Sequence, residues 1–185
     1  MVQSFHRWLA LALIVFAPAS LAGVDTGTDE NDVMLAGHDP VAYFTEGKPV
    51  KGKPEFTAAH GDAIYRFASA EHRDLFKTNP DKYVPAYGGH CAYGMTFGAK
   101  FLVDGQSFYI MHDRLFVNKN VQVGEEWEKD IVTHVSEAET LWPKAKDVPA
   151  DVLLAEIQKK REAAAKQNDD AEKSAASPSG SQKKQ

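Results

Sequence analysis

PEFTAAHGDAIYRFA, residues 54–68, decides the fold class. Two short runs, Pro54 to Ala58 and Ala63 to Ala68, flank the turn-forming His60-Gly61-Asp62, and together they predict an antiparallel hairpin. Ile64 alternates against Tyr65 and Phe67, which places those two rings on the other face. Ser107 to Met111 and Arg114 to Asn118 repeat the arrangement around His112-Asp113. Outside the hairpins the signals are helical. Asp39-Pro40 is an N-cap with proline in the first helical position, opening Val41 to Phe44. Ser69 caps a helix to about Lys77 that ends at the Asn79-Pro80 break. Val121 to Asp130 and Ile131 to Trp142 read as helices, the second with Ile131, Val135, Ala138 and Trp142 along one stripe. Runs of two strands, rather than alternating β-α units, predict an α+β domain: small, compact, with two short antiparallel hairpins and several short helices. Histidines recur at 22-residue intervals, as His38/His60 and His90/His112/His134. No matching sequence surrounds them, so the recurrence reads as chance and not as a tandem repeat.

The 185 residues suit one domain with terminal attachments. Every aromatic residue beyond the first 22 lies between Tyr43 and Trp142, which is where the core must be. Residues 1–22 read as a signal peptide: His6 and Arg7, an apolar stretch from Trp8 to Ala17, then Ser20 and Ala22 at −3 and −1 to a cleavage. The stretch is too short to span a bilayer and no later segment could, so the mature chain is expected to be periplasmic or secreted with no integral membrane span. Residues 23–143 form the domain. Residues 144–167 predict a C-terminal helix opened by Pro149-Ala150, with Val152, Leu153 and Ile157 apolar. Residues 168–185 (NDDAEKSAASPSGSQKKQ) carry no aromatic, Leu, Ile, Val or Met, and read as a disordered tail. Past the signal, the body carries 11 basic and 19 acidic residues up to position 143, against 9 and 7 in the remainder. An acidic body repels phosphate backbones, and no nucleic-acid partner is expected.

Three stretches together resemble the YHS domain family. They are Asp39-Pro40-Val41-Ala42-Tyr43-Phe44, then Tyr65-Arg66-Phe67-Ala68-Ser69 running to Phe76 and Asn79-Pro80-Asp81-Lys82-Tyr83, then Tyr87-Gly88-Gly89-His90-Cys91-Ala92-Tyr93-Gly94. The third is similar to an exported, largely uncharacterised branch of that family. The resemblance covers about residues 30–143 and implies a small module that binds soft or transition metals. It also marks a departure. The family's three metal cysteines fall here on Ala42, Ala68 and His72, so only an imidazole survives.

Cys91 is then the leading candidate for a metal site. It follows two glycines and enters a short helix, where the peptide dipoles favour a thiolate. His90 adjoins it, and Met95 lies one helical turn on. Cysteine, histidine and methionine suit copper, so copper or another transition metal bound by Cys91, His90, Met95 and His72 is the first expectation for function. Against it stands the ordinary role of a free cysteine as a small buried apolar residue. The alternatives are a metal-free interaction or ligand-binding module with an unknown protein partner, and a thiol-dependent enzyme or redox sensor at Cys91. His72 shares a helix face with Leu75 and Phe76, which points it inward. His38 adjoins the Asp39 cap, His60 and His112 lie at hairpin turns, and His134 edges the last apolar stripe. Met111 and His112 fall on alternate strand faces. Tyr65, Phe67, Tyr83, Tyr87 and Tyr93 line either a pocket or the core. The acidic run Glu125, Glu126, Glu128 and Asp130 lacks calcium-loop spacing. H-E-x-x-H, C-x-x-C, G-x-S-x-G and G-x-x-x-x-G-K-[ST] are all missing, so a catalytic activity is not expected.

Overall fold

The computed structural model describes residues 25–176, so the predicted signal segment, residues 1–22, lies outside it. The architecture is α+β. Strands β1 (Lys53–His60) and β2 (Ala63–Phe67) form one antiparallel pair, and β3 (Ser107–Met111) and β4 (Arg114–Asn118) form another. The helices are α1 (Pro40–Thr45), α2 (Ala70–Thr78), α3 (Ala92–Met95), α4 (Val121–Glu128), α5 (Ile131–Ala145) and α6 (Ala150–Ala176). Side-chain caps start them where the sequence places polar residues: Asp39 for α1, Ser69 for α2, Asn120 for α4 and Asp130 for α5.

The 22-residue histidine spacing has no structural counterpart, since His60 ends β1, His112 lies in the second turn and His134 is in α5, but the pair His38 and His90 does mark equivalent places. One unit occurs twice, about fifty residues apart. Each begins with three successive residues at positive φ, Leu35-Ala36-Gly37 (58°, 48°, 75°) and Tyr87-Gly88-Gly89 (53°, 61°, 82°). Left-handed backbone costs a side-chain-bearing residue roughly 1–2 kcal/mol, so a run of three is held in place by its surroundings. The next residues are His38 and His90, both buried, then the caps Asp39 and Cys91, then α1 and α3. The amide of each cap residue donates to a carbonyl ahead of the hairpin, Asp39 to Val50 (2.8 Å) and Cys91 to Phe101 (3.0 Å). A parallel bridge ties each unit's start to its second strand, Val33 to Ile64 and Pro85 to Leu115. The hairpins turn at Gly61-Asp62 and His112-Asp113, and a capped helix follows each. At matching places, Phe76 of α2 stacks near Tyr65 (centroids 4.7 Å apart), and Trp127 of α4 near Phe116 (5.7 Å). Sequence comparison within the chain misses this because the units share backbone path, caps and core positions but few residue identities.

The core has two parts. The larger gathers Met34, Leu35, Val41, Tyr43, Phe67 and Phe76 from the first unit with Cys91, Val103, Leu115 and Val117 from the second. The smaller holds Tyr87, Met95, Phe116 and Trp127 against Ala138 and Ala145 of α5. Burial of these large rings is the main favourable term for a domain of this size.

The C-terminal boundaries need correcting. Lys144 and Ala145 belong to α5, and α6 runs from Ala150 through Ala176, nine residues into the stretch read as disordered from 168. A lack of core-forming residues rules out burial but not helicity, and Ala, Glu, Lys and Gln sustain a solvated helix by propensity. Residues 161–169 are exposed throughout, whereas Leu153 packs on the smaller core. Residues 177–185 of the predicted tail lie outside the described part. Among the described residues no helix is long and apolar enough to cross a membrane.

Candidate functional site

The four predicted metal residues do not converge. Cys91 is 1% exposed, and its sulfur is used as a cap: Sγ accepts from Gly94 N (3.3 Å) and the thiol faces Asn118 Oδ1 at 3.7 Å. Burial pushes its pKa up, in spite of the backbone donors around it, so the thiol form is favoured instead of the thiolate. Asn118 Oδ1 also accepts from Tyr93 N (3.0 Å), which locks the start of α3 onto the end of β4. In the first unit the cap position held by Cys91 is Asp39. The helix-dipole argument correctly puts Cys91 at a helix N-terminus, but α3 is four residues long and Cys91 is buried in the larger core.

His90 is turned the other way. Its Nε2 donates to Asp25 O (3.0 Å), and Nδ1 is buried without a hydrogen-bond partner. Met95 is fully buried in the smaller core, whereas Cys91 belongs to the larger. His72 lies in the first unit, where its Nδ1–H donates to Asp39 Oδ2 (2.7 Å). Among the described residues no group of three or more His, Cys, Asp and Glu side chains is arranged to hold a metal ion.

Asp39 is the most heavily used polar side chain among the described residues. Its carboxylate is wholly buried and takes four donors: Val41 N and Ala42 N on Oδ1, Ala68 N and His72 Nδ1 on Oδ2. One side chain therefore caps α1, fixes the end of β2 and holds α2 through His72. Ala42, Ala68 and His72, where the resemblance places the family's metal cysteines, surround this carboxylate. What they form here is a hydrogen-bonded structural junction.

The matching junction of the second unit is open. Gly94 stands at the position of Ala42, Lys119 at that of Ala68 and Val123 at that of His72. There a pocket of about 230 Å³ is lined by Tyr93, Gly94, Phe97, Phe101, Lys119 and Val123, with Cys91 at its floor. Gly94 makes room for it: a Cβ at this position would lie 2.7 Å from the Phe101 ring and 3.0 Å from Ala99 O. Phe97 is 54% exposed and meets Tyr93 edge-on at 5.2 Å. Sequence reasoning missed Lys119, Phe97 and Phe101 altogether. The signal that could have found Lys119 was the pair of polar helix caps Ser69 and Asn120, since the residues before them are Ala68 and Lys119.

His38 and His134 are committed to hydrogen bonds within the fold. His38 Nδ1 donates to Leu35 O (2.9 Å), leaving Nε2 to accept from Gln106 Nε2 (2.9 Å), and His134 Nδ1 donates to Trp127 O (2.8 Å). Burial lowers the pKa of both His38 and His90 from the ordinary 6.5, against the raising effect of backbone acceptors and of Asp104 and Asp25 respectively. Their neutral forms contribute stability that is complete above pH 6.5 and is lost as pH falls from there through the folded values. Urea midpoints measured from pH 7.5 down to 5 should therefore drop, with a slope approaching about 1.4 kcal/mol per pH unit for each of the two groups. His90→Gln should flatten that slope; an unchanged slope would mean that other groups carry it.

No protein-family model, curated protein or solved structure matches this chain.

Proposed function

We propose that this chain is a non-enzymatic, metal-free binding module built on a YHS-like scaffold, exported by its N-terminal segment. One observation carries this reading. The single thiol is consumed as a buried helix cap, and the junction above it is an apolar pocket. Ligand sites are concave and mostly apolar, with a few placed polar groups, and the Lys119 pocket meets that description at small scale. The first unit supports the same view, because His72 there is committed to Asp39.

Copper handling through Cys91 is the competing reading, and it requires the sulfur to leave its cap and ionise. Loading the purified protein with copper or zinc, followed by chelator competition, separates the two. The expected result is no stoichiometric metal, in the native protein and in Cys91→Ala alike. Alkylation of Cys91 should stay slow until denaturant opens the fold, because the thiolate is the nucleophile and burial holds Cys91 as the thiol. One retained equivalent of copper that Cys91→Ala loses would overturn the proposal.

A further inference from the structure

We infer that the pocket of the second unit binds a small organic monocarboxylate whose apolar body is about one ring in size, with Lys119 as the counter-charge. The inference rests on the binding-module reading above and names the ligand class.

Size sets the first limit. Pockets for drug-sized ligands run from roughly 300 to 1,000 Å³, and at about 230 Å³ this one is too small for a lipid tail or a nucleotide. The lining sets the second. Tyr93, Phe97, Phe101 and Val123 offer ring faces and a branched aliphatic, and nothing charged except Lys119. Charge sets the third. Lys119 Nζ lies 5.5 Å from the centroid of Phe101, and among the described residues no carboxylate pairs with it. An unpaired ammonium at the mouth of an apolar pocket, on a body with excess acidic residues, is a placed attraction for an anion. A single lysine acts as a point charge and neutralises one negative charge. A phosphate or other dianion would leave its second charge without a cationic partner, because Lys119 is the one charged residue of the lining. A carboxylate fits, with its oxygens at Lys119 and its body between the Phe97 and Phe101 rings.

The two units differ in the way this requires. In the first, Ala68 replaces Lys119 and His72 is tethered to Asp39 where Val123 leaves room. One site per chain follows.

The test is a titration of the full chain with benzoate, benzyl alcohol, benzylammonium and acetate at low salt, followed by amide NMR shifts and calorimetry. Benzoate should bind at least tenfold more tightly than benzyl alcohol, with shifts centred on Tyr93, Gly94 and Val123. Benzylammonium and acetate should be weaker still. Lys119→Met should bring benzoate down to the level of the alcohol while leaving thermal stability unchanged, since Lys119 is exposed. Equal binding of benzoate and benzyl alcohol to the native chain would sink the carboxylate assignment and leave the pocket reading standing. No shift at these amides with any probe would sink both. Val123→Trp, checked by its melting temperature, should fill the pocket and abolish every shift; persistent binding in that variant would place the ligand elsewhere.

Discussion

Asp39→Ala is expected to lower the free energy of unfolding by about 3–5 kcal/mol, because it orphans several buried hydrogen-bond donors together. Four donors lose their acceptor at once: Val41 N, Ala42 N, Ala68 N and His72 Nδ1. The helix-cap part alone is worth about 1 kcal/mol, and each orphaned buried donor adds its own desolvation cost of about 1–3 kcal/mol in part. Domains are stable by only about 5–15 kcal/mol in total, so this one substitution removes a large share. Urea denaturation followed by tryptophan fluorescence measures it. Asp39→Asn keeps an acceptor for α1 but turns an NH₂ towards both Ala68 N and His72 Nδ1, and should fall between the native protein and the alanine variant. A loss below about 1 kcal/mol in the alanine variant would mean that the junction is not held by this carboxylate.

The second large effect belongs to Lys100, which no sequence rule singles out. Its side chain is fully buried, and Nζ donates to Lys146 O (2.9 Å), Val148 O (2.8 Å) and Asp25 Oδ2 (3.2 Å), 5.7 Å from the ring centroid of Trp142. It closes the C-terminal end of α5, where carbonyls lack helical partners and the dipole favours a cation, and it anchors the start of the domain through Asp25. Lys100→Met keeps the stem and removes the ammonium. A loss of about 2–4 kcal/mol is expected from the uncovered carbonyls and the unpaired Asp25. A purely packing role would slow or speed hydrogen exchange evenly. The clasp instead predicts that the Asp25, Lys146 and Val148 amides lose protection first, because Asp25 N donates to Lys146 O and Val148 N to Ala145 O. Uniform loss of protection would refute it.

Turn chemistry and capping made most of the fold legible. His60-Gly61-Asp62 and His112-Asp113 located both hairpins, and Asp39-Pro40, Ser69 and Asn79-Pro80 located α1 and α2. These signals are local, so neighbouring residues suffice to read them. Cys91 was legible as a helix N-terminus but not as a sealed one, since burial depends on Val103, Leu115 and Val117, which lie well downstream. Lys100 was illegible for a related reason. Lysine is almost never fully buried, and only the folded chain brings three acceptors to it. The doubled unit was hidden because its equivalent positions hold different chemistry: carboxylate against thiol at the caps, phenyl against indole in the helices, alanine against lysine at the junction.

The larger core draws on both units. A fragment ending at Asn79 would lack Cys91, Val103, Leu115 and Val117, and one beginning at Pro85 would expose those four. Each half is therefore expected to need the other in order to fold, and the stretch from residue 79 to 85 that joins them is itself built into the larger core through Tyr83.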